Sequence, residues 1–254
     1  MWIKPVVTSG MAGGQKFVLG KVCRHQRCRS PCPPRHCGDM VHTQVFYKFA
    51  TTAGGIYPSD AAAHKAAALE ITAMNAVVGS NNTQITVTLT ALFLVCGHCV
   101  IATAKAPLRG SESLIYGSDN AGHKDRVVHD GRRCPAAVPI IRRLASTLGL
   151  AEHPVLDGYC TLSLPIDAEV HLGDDGRLYL IDLARLDPPV PPPASDAKNS
   201  WLFQHFRPEL LLRHRQLALS SDVFSPFASG PRDRKRDFED LGACVSVCAC
   251  LVWR

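Results

Sequence analysis

Residues 166–189 read IDAEVHLGDDGRLYLIDLARLDPP and constrain the chain more than any other segment. Ile166, Ala168, Val170 and Leu172 alternate with Asp167, Glu169 and His171, the period of two that suits a half-buried strand. Asp174, Asp175 and Gly176 supply turn chemistry, because Asp and Gly tolerate the positive φ of a tight hairpin. Leu178–Leu183 is apolar until Asp182 interrupts it, so a second strand is expected. A connecting loop of two or four residues sets Asp182 on the face of Glu169 and Asp167; a loop of three or five sets it on the other face. In the even case three carboxylates and an imidazole share one surface, where chemistry or recognition can sit.

The 254 residues suffice for one sizeable domain or two small ones, and 46% of them are hydrophobic, as in an ordinary globular chain. A net charge of +6 is compatible with an anionic partner such as RNA but falls short of a dedicated nucleic-acid binder. No apolar stretch approaches the roughly 18 residues of a membrane span, so no membrane insertion is expected; Ala243–Trp253 is too short. Eleven cysteines without an apolar leader point to reduced thiols and a cytoplasmic location.

The ends differ from the middle. Residues 1–41 hold no acid before Asp39, and their bases include Lys4, Lys16, Arg24, Arg27 and Arg35. Gly13-Gly14 and Pro31–Pro34 break the amphipathic helix a transit peptide needs, so this segment reads as a basic, Cys-rich extension. Its Cys23, Cys28, Cys32 and Cys37 crowd into one short loop, whereas structural zinc sites set two ligand pairs well apart. Residues 42–230 form the expected domain. Residues 231–254 read as a charged run, Arg232–Arg236, followed by an apolar tail.

Within the domain, Asp60 is a candidate cap for a helix reaching about Val78, and Pro135–Leu150 predicts a second helix with Ile140, Ile141, Leu144 and Leu148 on one face. Strands are expected at 83–89, 91–95, 99–104 and 113–116, and helix again over 201–217, restarted around Pro208. Mixed elements without regular βαβ alternation predict an α+β fold.

Cys96-Gly97-His98-Cys99 matches a dithiol motif, but the β-formers after it deny it the helix N-terminus that lowers a thiol pKa. The hairpin ending Ile181-Asp182-Leu183-Ala184-Arg185 is similar to the metal-binding aspartate hairpin of kinase-like folds. In that reading Asp182 holds Mg²⁺ with Glu169 or Asp167, and Lys105 stands for the phosphate-pairing lysine. No glycine-rich nucleotide loop and no His-Arg-Asp catalytic loop accompany it. The competing expectation is a salt-bridged network of Asp167, Glu169, Asp182, Arg177 and Arg185 without catalysis.

The same segment resembles the clustered-mitochondria (Clu) domain family. The matching residues are Asp167, Glu169, His171, Leu172, Gly173, Asp175, Gly176, Arg177, Tyr179, Asp182, Ala184, Arg185, Pro188 and Pro189. Tyr116-Gly117-Ser118-Asp119, the helix carrying Lys65 and Glu70, Arg207-Pro208-Glu209 and Ser220-Ser221-Asp222 resemble further motifs of the family, in its order, over roughly 44–230. Val170 stands where many members carry glycine. The resemblance implies a cytosolic, noncatalytic module with no cofactor. Its implied partners are mRNAs for mitochondrial proteins or ribosome-associated proteins, and its implied role is the distribution of mitochondria. The tetratricopeptide repeats of full-length members do not show as a 34-residue period.

Overall fold

The computed structural model describes residues 45–229 except 53–54, 96, 120–122, 193–198 and 214–218, together with the backbone of four short strands nearer the N-terminus. Those four are β1 (Ile3–Pro5), β2 (Lys16–Leu19), β3 (Val22–Cys23) and β4 (Met40–Val41). The cysteine loop, the end after Ser229 and Cys96 lie outside the described residues.

Strand β5 (Val45–Ala50) leads to helix α1 (Asp60–Gly79), and then come β6 (Ile85–Val87), β7 (Thr90–Val95) and β8 (His98–Ala104). The first sheet runs β1-β2-β5-β8-β7, with every pairing antiparallel. Gly97 turns β7 into β8 at φ +82°, which a residue without Cβ adopts freely. Helix α1 is capped by Ser59, whose hydroxyl accepts from the Ala62 N–H; Asp60, the cap expected from sequence, instead opens the first turn. Its small residues allow close packing on both sides. Ala63 and Ala67 meet Ala50, Cys99 and Ile101 of the first sheet, while Ala73 and Val77 enter the main core.

Strands β9 (Leu114–Ser118) and β10 (Val127–Val128) open the second half, followed by α2 (Ala137–Leu148), β11 (His153–Val155) and β12 (Cys160–Leu162). The motif hairpin is β13 (Glu169–Leu172) and β14 (Leu178–Ile181), and α3 (Pro208–Arg213) closes the described helices. The second sheet runs β10-β9-β13-β14-β6, with β6 parallel to β14. Pro139 falls in the first turn of α2, where a missing N–H costs little. Ile141 and Leu144 of that helix are fully buried against Leu164, Ile166, Ala168 and Val170. The fold is α+β, and no described helix is long and apolar enough to cross a membrane. The helical stretch expected over 201–217 with a restart around Pro208 takes the form of a 3-10 turn at Ser200–Leu202 and then α3 from Pro208, a residue tolerated in a first helical turn; residues 214–217 lie outside the described residues.

Candidate functional site: a charged core beneath the motif hairpin

The hairpin register resolves the choice left open by the sequence. Glu169 pairs with Ile181 and Leu172 with Leu178, so five residues, Gly173–Arg177, connect the strands. Continuing that register places Asp182 across from Ala168, on the other face from Asp167 and Glu169. The alternation also breaks once. The pairing of β13 with β9 shifts between Val170 and His171, so His171 is buried while Leu172 is 40% exposed. His171 is held from both sides: Nε2 donates to Glu169 Oε2 at 2.8 Å and Nδ1 lies 3.0 Å from Ser113 Oγ.

The turn is built from its own side chains. Asp175 Oδ1 accepts the Arg177 N–H and its Oδ2 accepts the Tyr179 hydroxyl at 2.8 Å. Gly176 takes φ +76°, and a Cβ on Gly173 would stand 2.7 Å from the Tyr179 ring. In the neighbouring motif, Gly117 (φ +90°) lies against the hairpin so closely that a Cβ would come within 1.9 Å of the Ala168 carbonyl oxygen. Tyr116 is buried and its hydroxyl accepts the Ser163 N–H; Ser118 is buried on the same strand. Asp119 accepts two bonds from Arg126 at the surface.

Beneath the hairpin sits Arg185, 4% exposed. Its Nε and Nη2 donate to the two oxygens of Asp167 at 2.6 and 2.5 Å, and its Nη1 donates to Asp222 Oδ1 at 3.2 Å. The guanidinium lies 4.8 Å from the Trp201 ring centre and 5.4 Å from that of Phe227. Asp222 is fully buried. Its Oδ2 accepts from His153 Nε2 at 2.9 Å and from the Ile166 N–H at 2.8 Å. The other ring nitrogen, His153 Nδ1, lies 2.9 Å from the Ala151 carbonyl oxygen. Burial raises the Asp222 carboxyl, but Arg185, His153 and the Ile166 N–H together hold it below the ordinary carboxylate range.

The network expected from sequence therefore forms with different members. Arg185 and Asp167 belong to it, Asp222 and His153 join it, and Glu169 serves His171 instead. Arg177 lies at the exposed turn, 3.8 Å from Asp175. Asp182 is half-buried at φ +55° and, among the described residues, its side chain has no hydrogen-bond or ion-pair partner. Asp222 carries no periodicity signal; only its place in Ser220-Ser221-Asp222 marked it. Nothing short of the fold joins His153 to it, 69 residues away.

Beside this core, Asp187 is buried, and desolvation together with nearby Glu209 pushes its carboxyl up to about 7. Arg207 is exposed and its carbonyl starts α3 by accepting the Leu210 N–H. Lys105, the candidate phosphate-pairing lysine, is exposed just beyond β8. Cys99 is buried on β8, and desolvation raises its thiol pKa, the opposite of a reactive dithiol. Among the described residues no three metal-ligating side chains converge.

A family model described as "Clustered mitochondria" matches residues 11–191, most of the chain. The chain belongs to the clustered-mitochondria family. A relative named "Clustered mitochondria protein homolog", from Schizosaccharomyces pombe (strain 972 / ATCC 24843), is 26% identical over 215 residues, covering 76% of this chain. The chain spans only 18% of the length of that relative. No solved structure matches. The Clu match begins at residue 11 and so takes in β2, which pairs with β5 in the first sheet.

Proposed function

We propose that the chain is a noncatalytic Clu module, a cytosolic binding unit that works in the distribution of mitochondria or the translation of mRNAs for mitochondrial proteins. The observation that carries the noncatalytic half is the fate of the motif's charges. Asp167 is engaged by Arg185 in two hydrogen bonds and Glu169 by His171, so neither carboxylate is left to hold a metal for phosphoryl transfer. Charges taken up by one another in a buried network are costly to separate, which suits a structural part better than an exchangeable metal site.

For the binding half, the edge strand β7 favours a protein partner over RNA. Among the described residues no strand pairs with the outer side of β7, and Leu92, Phe93, Leu94 and Val95 are 39–75% exposed there. An exposed apolar edge of this kind accepts an extended segment by strand addition. RNA recognition instead calls for clustered bases, and β7 has none.

The test expresses the chain in cells as wild type and as Phe93→Glu with Leu94→Glu. The purified proteins should share one melting temperature and show no phosphotransfer above a blank. Partner proteins should co-purify with the wild type after ribonuclease treatment and be lost with the variant. Loss of the partners on ribonuclease treatment would favour RNA, and measurable phosphotransfer would defeat the noncatalytic reading.

A further inference from the structure

A charge pattern in the sequence selects the partner that strand β7 can take. Residues 71–104 hold no Asp, Glu, Lys or Arg, although 20% of the whole chain is charged. Strand β7 lies inside that run. It also lacks the lysine, proline or bulge with which edge strands ordinarily block unwanted pairing, since it reads TALFLV and its register on β8 is unbroken. An acidic or basic partner finds no charge along this edge to pair with. A second copy of the same edge matches it by construction, neutral against neutral and apolar against apolar.

The ladder shows which backbone groups this edge offers. The Ala104 N–H donates to the Leu89 carbonyl at 2.8 Å, in line with the register that pairs Thr90 with Thr103 and Val95 with His98. Bonded and non-bonded pairs alternate along an antiparallel ladder, so Ala91, Phe93 and Val95 spend their N–H and C=O groups on β8. Thr90, Leu92 and Leu94 turn theirs outward, where among the described residues no strand meets them. The side chains divide by face. Leu92 and Leu94 pair with Ile101 and Cys99, which pack against α1, whereas Phe93 pairs with Val100 on the opposite face.

Antiparallel self-pairing requires each outward-facing residue to meet another outward-facing one. A two-fold axis at Leu92 meets that condition. Leu92 then faces its own copy, Thr90 faces Leu94, Ala91 faces Phe93 and Leu89 faces Val95. Phe93 and Leu94 each lie across from a smaller side chain, so the faces interlock without crowding. The pairing covers Leu89, Phe93, Leu94 and Val95, which are 50–80% exposed in the single copy. An axis one residue on, at Phe93, leaves Leu89 with no side chain across from it.

We propose that two copies of the chain pair antiparallel through β7 about a two-fold axis at Leu92, joining their first sheets into one. The inference rests on the reading of β7 as a strand-accepting edge and names the partner it takes. The pairing is isologous, so each copy spends its β7 edge and association along it stops at two. Residues 89–95 are far fewer than the roughly 20–30 a side of a stable interface, so the dimer is reversible and the dilute chain is monomeric.

Sedimentation equilibrium of the purified full chain in reducing buffer, over roughly 10–500 μM, tests the pairing. The wild type should pass from monomer to dimer and no further. Leu92→Lys and Leu92→Glu should each stay monomeric, because like charges then face one another at the axis, and an equal mixture of the two should recover a one-to-one dimer. Val78→Lys, which removes an exposed apolar side chain near the end of α1, should dimerise as the wild type does. Leu94→Lys changes a side chain already 75% exposed and should weaken association about tenfold or more, which keeps the test readable if a Leu92 variant melts low. A wild type that stays monomeric at the top of the range would overturn the proposal; if β7 still captured a cellular protein, the strand-accepting reading would stand without it. Wild-type association of Leu94→Lys, or Leu92 variants that dimerise separately as well as they do mixed, would place the interface elsewhere and overturn it too.

Discussion

Around Arg185 the charges balance only as a set. Two carboxylates, the His153 ring and a backbone N–H share the space under two aromatic rings, and deleting one member strands the others in a poorly hydrated interior. Asp222→Ala should therefore cost about 3–5 kcal/mol in urea unfolding, whereas Asp182→Asn, with no partner to strand and an amide that tolerates φ +55°, should stay within about 1 kcal/mol. The sequence pointed to a network here and named Arg185 and Asp167 correctly. It left the face of Asp182 open because hairpin loop length, which assigns the faces, cannot be read from turn residues alone, and it counted in Glu169 and Arg177, which bond His171 and Asp175 instead. Gly117 makes a separate prediction. A methyl group at that position meets the Ala168 carbonyl and must also hold φ +90°, so Gly117→Ala should lose on the order of 3 kcal/mol in the same assay.

Asp187 gives the residue scale a pH signature. Its folded value of about 7 lies above the ordinary unfolded carboxylate near ~4. The folded state therefore keeps the proton longer, and stability falls as pH rises from ~4 through 7, with the full cost of ionisation present above 7. Asp187→Asn should accordingly melt higher than the wild type at pH 8, with the advantage shrinking toward pH 5. Melting temperatures of the pair across that range check it; a constant offset would contradict the assignment.

At the scale of elements, periodicity served well where one face is buried. Helix α2 falls at Ala137–Leu148 within the predicted 135–150, because its apolar stripe has one core to face. Helix α1 was legible from its small residues, but its second duty, carrying Glu70 to Leu183, was not, since that contact spans 113 residues. Strand β7 keeps its apolar residues in solvent. Phe93→Glu should leave urea stability within about 0.5 kcal/mol, as exposed substitutions do, while reducing association of the chain with its partner.

For the whole molecule, the α+β class followed from the mixture of elements, but the division into two sheets around α1 did not. Short runs such as Ile85–Val87 carry no sign of which sheet they join; β6 pairs in parallel with β14, more than 90 residues later. The sequence drew a domain boundary at 42, and the β2–β5 pairing runs across it. A 42–230 fragment should therefore melt below a 1–230 fragment, having exposed the edge of β5, and equal melting temperatures would show that β2 adds nothing to the domain. The account as a whole rests on the claim that the family motif's charges hold the two ends of the second half together. The most direct measurement is a double-mutant cycle of Arg185→Met and Asp222→Leu by urea unfolding. The account predicts single losses of about 3 kcal/mol or more and a double variant that loses less than their sum, because the Arg185–Asp222 contact is lost in both singles, while Asp167 and His153 are left without their partners. Small or strictly additive losses would contradict it.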